Sequence, residues 1–388
     1  MKAKNILLII LLLLTSFAEL IAGQWVKKEN LGGVARHRAT GVSIGEKGYI
    51  GLGHVNGTGV NYAFSDWWEF EPASNSWTQK ADYLLGEGYG ASAFSVGTKG
   101  YVGSGVFTGD SWCEYDPGTN QWALIATPPA SGTELSAISM GGKGYLIEDS
   151  NIYEYDPLTD QWTTKATAPV SFGIWGSAFS IGNSGYINKG STFYEYKPSA
   201  DQWLARASFP GLSTGGSAAF AILNKGYIVA GYSGSLGDVN RETWEYNPGT
   251  DSWSVVEEFP GSSRRFTVGF SIGDRGYLGT GTNGTNFKDF WEYDPLLMGQ
   301  EEEVGNDITV QAYPNPTSDF FTVIIEGHFP SQSQFQFTLY DSSGKTVKQT
   351  SLAEKNFIVD ASDLPKGNYI YRIGSRSINI KQGKIVIL

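Results

Sequence analysis

Apolar and polar residues alternate along most of this chain in short runs, and glycine, proline, asparagine and aspartate cut the runs apart. Such a period of two, without a helix-length amphipathic stretch, predicts short antiparallel strands joined by tight turns. Between residues 25 and 295 the alternation is itself repeated. One half of the unit is "SIGEKGYIGLG", echoed as "SVGTKGYVGSG", "SMGGKGYLIED", "SIGNSGYINKG", "ILNKGYIVAG" and "SIGDRGYLGTG". The other is "WWEFEPASNSW", echoed four times in full and then cut short as "FWEYDPLLMGQ". The Gly-Tyr pairs begin at Gly48, Gly100, Gly144, Gly185, Gly226 and Gly276, a period of 41 to 52 residues. With hairpin turns at Asp-Pro-x-Thr-Asp and Gly-Glu-Lys-Gly, each unit holds four strands, and six units predict a six-bladed β-propeller.

One tryptophan is out of place. In the five complete units the closing tryptophan lies five residues after the proline, as in Pro72 to Trp77, whereas Gln300 stands five residues after Pro295. From each closing tryptophan to the next Gly-Tyr glycine is 22 or 23 residues, and Trp25 to Gly48 is also 23. The segment Gln24 to Lys28 is therefore expected to pair with Phe290 to Asp294 and complete the last sheet, so that no edge is left open. These repeats resemble the kelch family, which implies four-stranded blades. The resemblance is clearest in the Tyr-to-Trp half. The family's adjacent glycine pair appears here as Gly51-x-Gly53, Gly103-x-Gly105 and Gly279-x-Gly281, and is lost at Ile147 to Asp149.

The two ends read differently. Lys2 and Lys4 precede an apolar run from Ile6 to Leu14 and small residues at Ala18, Ala22 and Gly23, a signal peptide over 1–23. No later segment approaches the roughly 20 apolar residues of a membrane span. The repeats are expected over 24–300 and an acidic linker, "EEEVGND", over 301–307. Residues 308–388 alternate apolar positions between Pro-Asn-Pro, Ser-Ser-Gly and Pro-Lys-Gly turns, which predicts a small immunoglobulin-like β-sandwich. This tail resembles the C-terminal sorting domain of the type IX secretion system. The residues that carry the likeness include Tyr313, Pro314, Asn315 and Pro316, Asp341 and Gly344, Pro365, Gly367 and Tyr369, and Lys384 with Leu388. It implies recognition by that secretion machinery and delivery across both membranes to the cell surface or medium.

Charge and cysteine content narrow the partners. Residues 24–307 hold 18 Lys and Arg against 32 Asp and Glu, and residues 308–388 hold 8 against 6. A body of net charge −14 repels nucleic acid and anionic lipid. A single Cys113 allows no internal disulfide, so 54 aromatic residues must supply the stability by burial. Three histidines without ligand spacing predict no metal, and no phosphate loop or nucleophile elbow points to a cofactor.

A residue that recurs in every unit belongs to the frame, whereas a site on the axis needs residues that differ. The six glutamates Glu69, Glu114, Glu154, Glu195, Glu245 and Glu292 are therefore expected to be structural. Residues 10 to 12 before each Gly-Tyr glycine are expected at the channel mouth. That register holds Arg36, His37, Arg38, Tyr89, Trp175, Arg264, Arg265 and Phe266, with Glu134 close to it. Guanidinium groups with aromatic faces suit a carboxylate or a sugar ring. The expected function is a non-enzymatic module binding a glycan or a surface protein. The alternative, resembling the six-bladed kelch mutarotases and epimerases of sialic acids, assigns proton transfer to Glu134 and carboxylate binding to Arg36 and Arg264.

Overall fold

Each alternating run becomes a strand, and each Gly-Tyr repeat builds one four-stranded antiparallel sheet. The computed structural model describes residues 23–57, 59–295, 309–326, 336–341, 344–351, 356–374 and 379–388. The expected signal peptide, apart from Gly23, the last residues of the expected repeat region, 296–300, and the expected acidic linker lie outside the described residues. The architecture is all-β and propeller-like, with no helix among the described residues and hence none long and apolar enough to cross a membrane.

In the third sheet, Ser136–Met140, Lys143–Glu148, Asn151–Asp156 and Gln161–Thr164 follow one another in chain order. The first strands of the six sheets, from Thr40–Ile44 to Val268–Ile272, pack each against the next, and the last packs against the first. Aromatic rings fill the space between sheets. The tyrosine of each Gly-Tyr pair is buried, and in five of the six sheets its hydroxyl donates to the recurrent glutamate, at 2.7 Å for Tyr49 to Glu69 and 2.7 Å for Tyr277 to Glu292, while in the fourth sheet Glu195 accepts from Arg206. Burial, reinforced by that carboxylate, holds the Tyr49 phenol far above its ordinary range, so it stays a donor. The glutamates in turn meet cations, as Lys47 does Glu69 and Lys28 does Glu292.

The sixth sheet takes its strands from both ends of the region, in the order Gln24–Lys28, Phe290–Asp294, Arg275–Gly279, Val268–Ile272. Trp25 lies opposite Tyr293, and its ring packs 5.0 Å from Tyr293 and 5.2 Å from Phe259. Its indole N–H donates to the Glu257 carbonyl. The same bond joins Trp77 to Glu29, Trp122 to Ala81, Trp162 to Ala126, Trp203 to Ala166 and Trp253 to Ala207. Each tryptophan thus ties its sheet to the connector leaving the preceding one.

The tail forms two sheets, one of Thr309–Tyr313, Phe320–Glu326 and Asn356–Asp360, the other of Thr346–Ser351, Gln336–Tyr340, Gly367–Gly374 and Asn379–Ile387. Phe321, Val323, Phe337, Leu339, Tyr371 and Ile385 lie in the core between them. The Asn315 amide donates to the Lys384 carbonyl at 2.6 Å and its oxygen accepts from the Val386 N–H at 2.9 Å, fastening the Pro-Asn-Pro turn to the last strand. Tyr369 donates to the Pro365 carbonyl.

Candidate functional site

Just before each first strand stands one residue in the left-handed backbone conformation: Arg38, Gly90, Glu134, Trp175, Gly216 and Phe266, with φ between 52° and 66°. Each lies ten residues before its Gly-Tyr glycine. Their backbone groups bond in a closed cycle. Gly90 N–H donates to the Arg38 carbonyl, Glu134 to Gly90, Trp175 to Glu134, Gly216 to Trp175, Phe266 to Gly216 and Arg38 to Phe266, all at 2.7 to 3.1 Å. Below this girdle lies an axial cavity of about 170 Å³, lined by Thr40, Ser92, Ser136, Ser177, Ala218, Val268 and their neighbours.

Glycine adopts this backbone shape without a Cβ penalty, and two of the six positions use it. At the other four a bulky side chain is held there at a cost in backbone strain. The glycines give those side chains room. A Cβ on Gly90 would sit 2.6 Å from Glu134 Cγ, and one on Gly216 would sit 3.1 Å from Phe266 Cδ1. Glu134 Oε1 thus reaches over Gly90 to within 3.0 Å of Arg38 Nε, although the N–H does not point along the line required of a hydrogen bond. The Arg38 guanidinium is 4.4 Å from the Phe266 ring centre, 5.5 Å from Trp175 and 5.8 Å from Tyr89. Trp175 and Phe266 pack 5.2 Å apart.

The mouth is cationic despite the acidic body. Arg265 sits over Phe266 at 5.4 Å, and among the described residues it forms no ion pair; its buried Nε has no hydrogen-bond partner. Burial, and then the positive charge of Arg38, pull the Arg265 pKa below its usual value. Lys189 lies 5.9 Å from the Trp175 ring and donates to the Ile174 carbonyl, and burial lowers its pKa. Burial raises Glu134 to about 7 against the opposing pull of Arg38. The Trp175 indole N–H is likewise buried without a partner. The cations gathered at this mouth are two guanidinium groups and an ammonium, groups that suit an oxyanion.

Three expected contacts are instead internal supports. Arg36 and Arg264 are fully buried. Arg36 grips both oxygens of Asp66 and donates to the Leu52 and Val34 carbonyls. Arg264 grips Asp289 at 2.6 and 2.8 Å and donates to the Thr280 and Ser262 carbonyls. With their donors satisfied and no solvent exposure, neither is free to hold a ligand or assist catalysis at the mouth. His37 is 4% exposed, and its Nδ1 pairs with Asn286 Oδ1 at 2.8 Å. Burial lowers its pKa to about 4, leaving it a neutral support behind Arg38. Arg38, Tyr89, Trp175, Arg265, Phe266 and Glu134 do converge. Sequence reasoning missed Lys189 and Tyr232, which arrive from the ends of second strands; Tyr232 packs 5.9 Å from Trp175.

Residues 311–388 match the family described as the secretion system C-terminal sorting domain. The tail is an export signal. It sends the protein through the type IX system to the cell surface or the extracellular space. Among solved structures the chain is similar to one titled "Structure of YjhT", at 14% identity and a TM-score of 0.56, over 69% of this chain and 96% of that one. At that identity the likeness bears on the fold alone. No curated protein matches the chain.

Proposed function

We propose that residues 24–300 form a six-bladed kelch-type propeller closed by its N-terminal strand, and that its channel mouth is a non-enzymatic binding site for an acidic glycan. The tail, 308–388, carries it out of the cell, and the segments 1–23 and 301–307 serve as signal peptide and linker. The cyclic backbone girdle and the six equivalent tryptophan bonds support the ring. One observation carries the binding reading: Arg265 stands beside Arg38 without a carboxylate of its own, among aromatic faces that suit a sugar ring. Arg265 is only half-buried, so its charge stays open to a ligand carboxylate, while its shielded Nε has no protein partner.

Calorimetry on the mature chain with glucuronate, N-acetylneuraminate and glucose tests this. Saturable binding of an acidic sugar but not of glucose, weakened at least tenfold by Arg265→Gln, is the expected result. Equal behaviour of the variant and the wild type, or binding of none of the three, would refute it.

A second reading is favoured by Glu134, whose carboxyl titrates near neutrality beside an arginine. That is the state a general acid–base needs in a sugar mutarotase or epimerase. Arg38 and Arg265, rather than Arg36 and Arg264, hold the substrate carboxylate in this version. Anomeric exchange followed by NMR separates the two: turnover abolished in Glu134→Gln with binding retained supports the enzyme.

A further inference from the structure

Phe107 is anomalous on three counts. It is 71% exposed, it occupies a turn between Lys99–Gly105 and Gly109–Asp116, and its φ of 76° is one that glycine adopts freely and a bulky residue does not. A left-handed residue also stands in the corresponding turn of the third and fourth sheets, but there it is Asp149 and Gly190, types that tolerate the conformation. Neither burial nor backbone preference explains a phenylalanine there. Strain kept in an exposed side chain points to contact with something outside the chain.

Its surroundings say what. Val106 and Tyr89 are bridged by paired backbone hydrogen bonds, so the Phe107 turn is held directly beside Tyr89. The two rings meet edge to face at 5.6 Å. Tyr89 is fixed from behind by His54, stacked 4.2 Å away at 9°, and His54 is anchored to Asn61 at 2.7 Å. Arg38 lies 5.8 Å from Tyr89. An aromatic ledge therefore runs outward from the cationic mouth, rigid at its root and open at its tip. A pyranose presents C–H groups of partial positive charge on one face, which match the negative face of an aromatic ring.

We propose that Tyr89 and Phe107 form a second sugar subsite, stacking the neutral unit next to the acidic one, so that the ligand is an acidic oligosaccharide rather than a free acidic sugar. This rests on the acidic-glycan reading of the mouth. The site selects chain length through the ledge and charge through Arg265.

A glycan array probed with the mature full chain, followed by calorimetry on matched acidic mono- and oligosaccharides, tests it. Wild type should hold the oligosaccharide at least tenfold more tightly. Phe107→Gly should abolish that difference while leaving the monosaccharide affinity unchanged and the melting temperature equal or higher, because the substitution relieves strain and removes no buried contact. Arg265→Gln should weaken both ligands. An oligosaccharide preference that survives Phe107→Gly, or no preference at all, overturns the ledge and spares the mouth. Retention of no acidic glycan overturns both. Neutral oligosaccharides bound through Phe107 and indifferent to Arg265→Gln overturn the mouth and the acidic ligand together.

Discussion

Glu134 Oε1 stands 3.0 Å from Arg38 Nε across Gly90, whose missing side chain is what lets these residues from two different sheets meet. The pair is shielded enough that burial outweighs the arginine and lifts the carboxyl to about 7. His37, behind it, is shifted the other way, to about 4, by burial, with His54, Arg38 and Arg265 adding to the effect and Asn286 opposing it.

These shifts have opposite consequences for stability. Glu134 binds a proton more tightly folded than unfolded, so its contribution falls as pH rises from its ordinary 4.5 to about 7, by at most about 3 kcal/mol. His37 binds a proton less tightly folded, so its contribution is present above 6.5 and is lost as pH falls toward 4. In wild type the two slopes offset each other over much of that range. Glu134→Gln should expose the histidine, giving urea midpoints that climb from pH 4.5 to 6.5. A variant profile parallel to wild type would contradict this.

Trp25 is 7% exposed and fills the space between Phe259 and Tyr293. Trp25→Ala should cost about 3 to 5 kcal/mol in denaturant unfolding. Deleting the segment through Lys28 should cost more, because it removes the fourth strand of the last sheet. Unchanged protease resistance after that deletion would show that the region does not need its first strand.

Arg36→Ala or Arg264→Ala leaves a largely buried aspartate without its cation and should destabilise by about 3 to 5 kcal/mol. Arg265→Gln, which breaks no ion pair, should change stability by about 0.5 kcal/mol or less while weakening ligand binding. Thermal melts of the three variants alongside calorimetry would read out this division between support and site.

Removing residues 311–388 should keep the protein inside the cell envelope, as fractionation and immunoblotting would show. Asn315→Ala, which loses the bonds to Lys384 and Val386, should loosen the tail by about 1 to 3 kcal/mol and lower the exported fraction. Full export of the truncated chain would mean that another signal directs it.

The sheets were legible because the unit's turn residues, its buried tyrosine and its tryptophan recur at near-constant spacing, and the spacing of Trp25 pointed to its partner strand. The register ten to twelve residues before each Gly-Tyr glycine pointed to this region, but it set Glu134 beside the register although Glu134 is ten residues before Gly144 just as Arg38 is ten before Gly48, and it gave no sign of the main-chain cycle. What spacing could not say was which of three successive side chains turns toward the mouth. Arg36 and Arg38 differ because Asp66, thirty residues past Arg36, draws the former inward, and no local pattern announces that pairing. Lys189 and Tyr232 were missed because what ends or follows the second strand varies from unit to unit; Lys189 meets Trp175 within its own sheet and Tyr232 meets it from the next.

Because the six girdle residues bond to one another through main-chain atoms, the hydrogen bonds of the frame do not themselves depend on what each one displays. The mouth is consequently a six-letter word written on a fixed line, with two blanks at Gly90 and Gly216. Rewriting Arg38 or Glu134 changes what is read, whereas filling either blank would press a side chain onto Glu134 or Phe266.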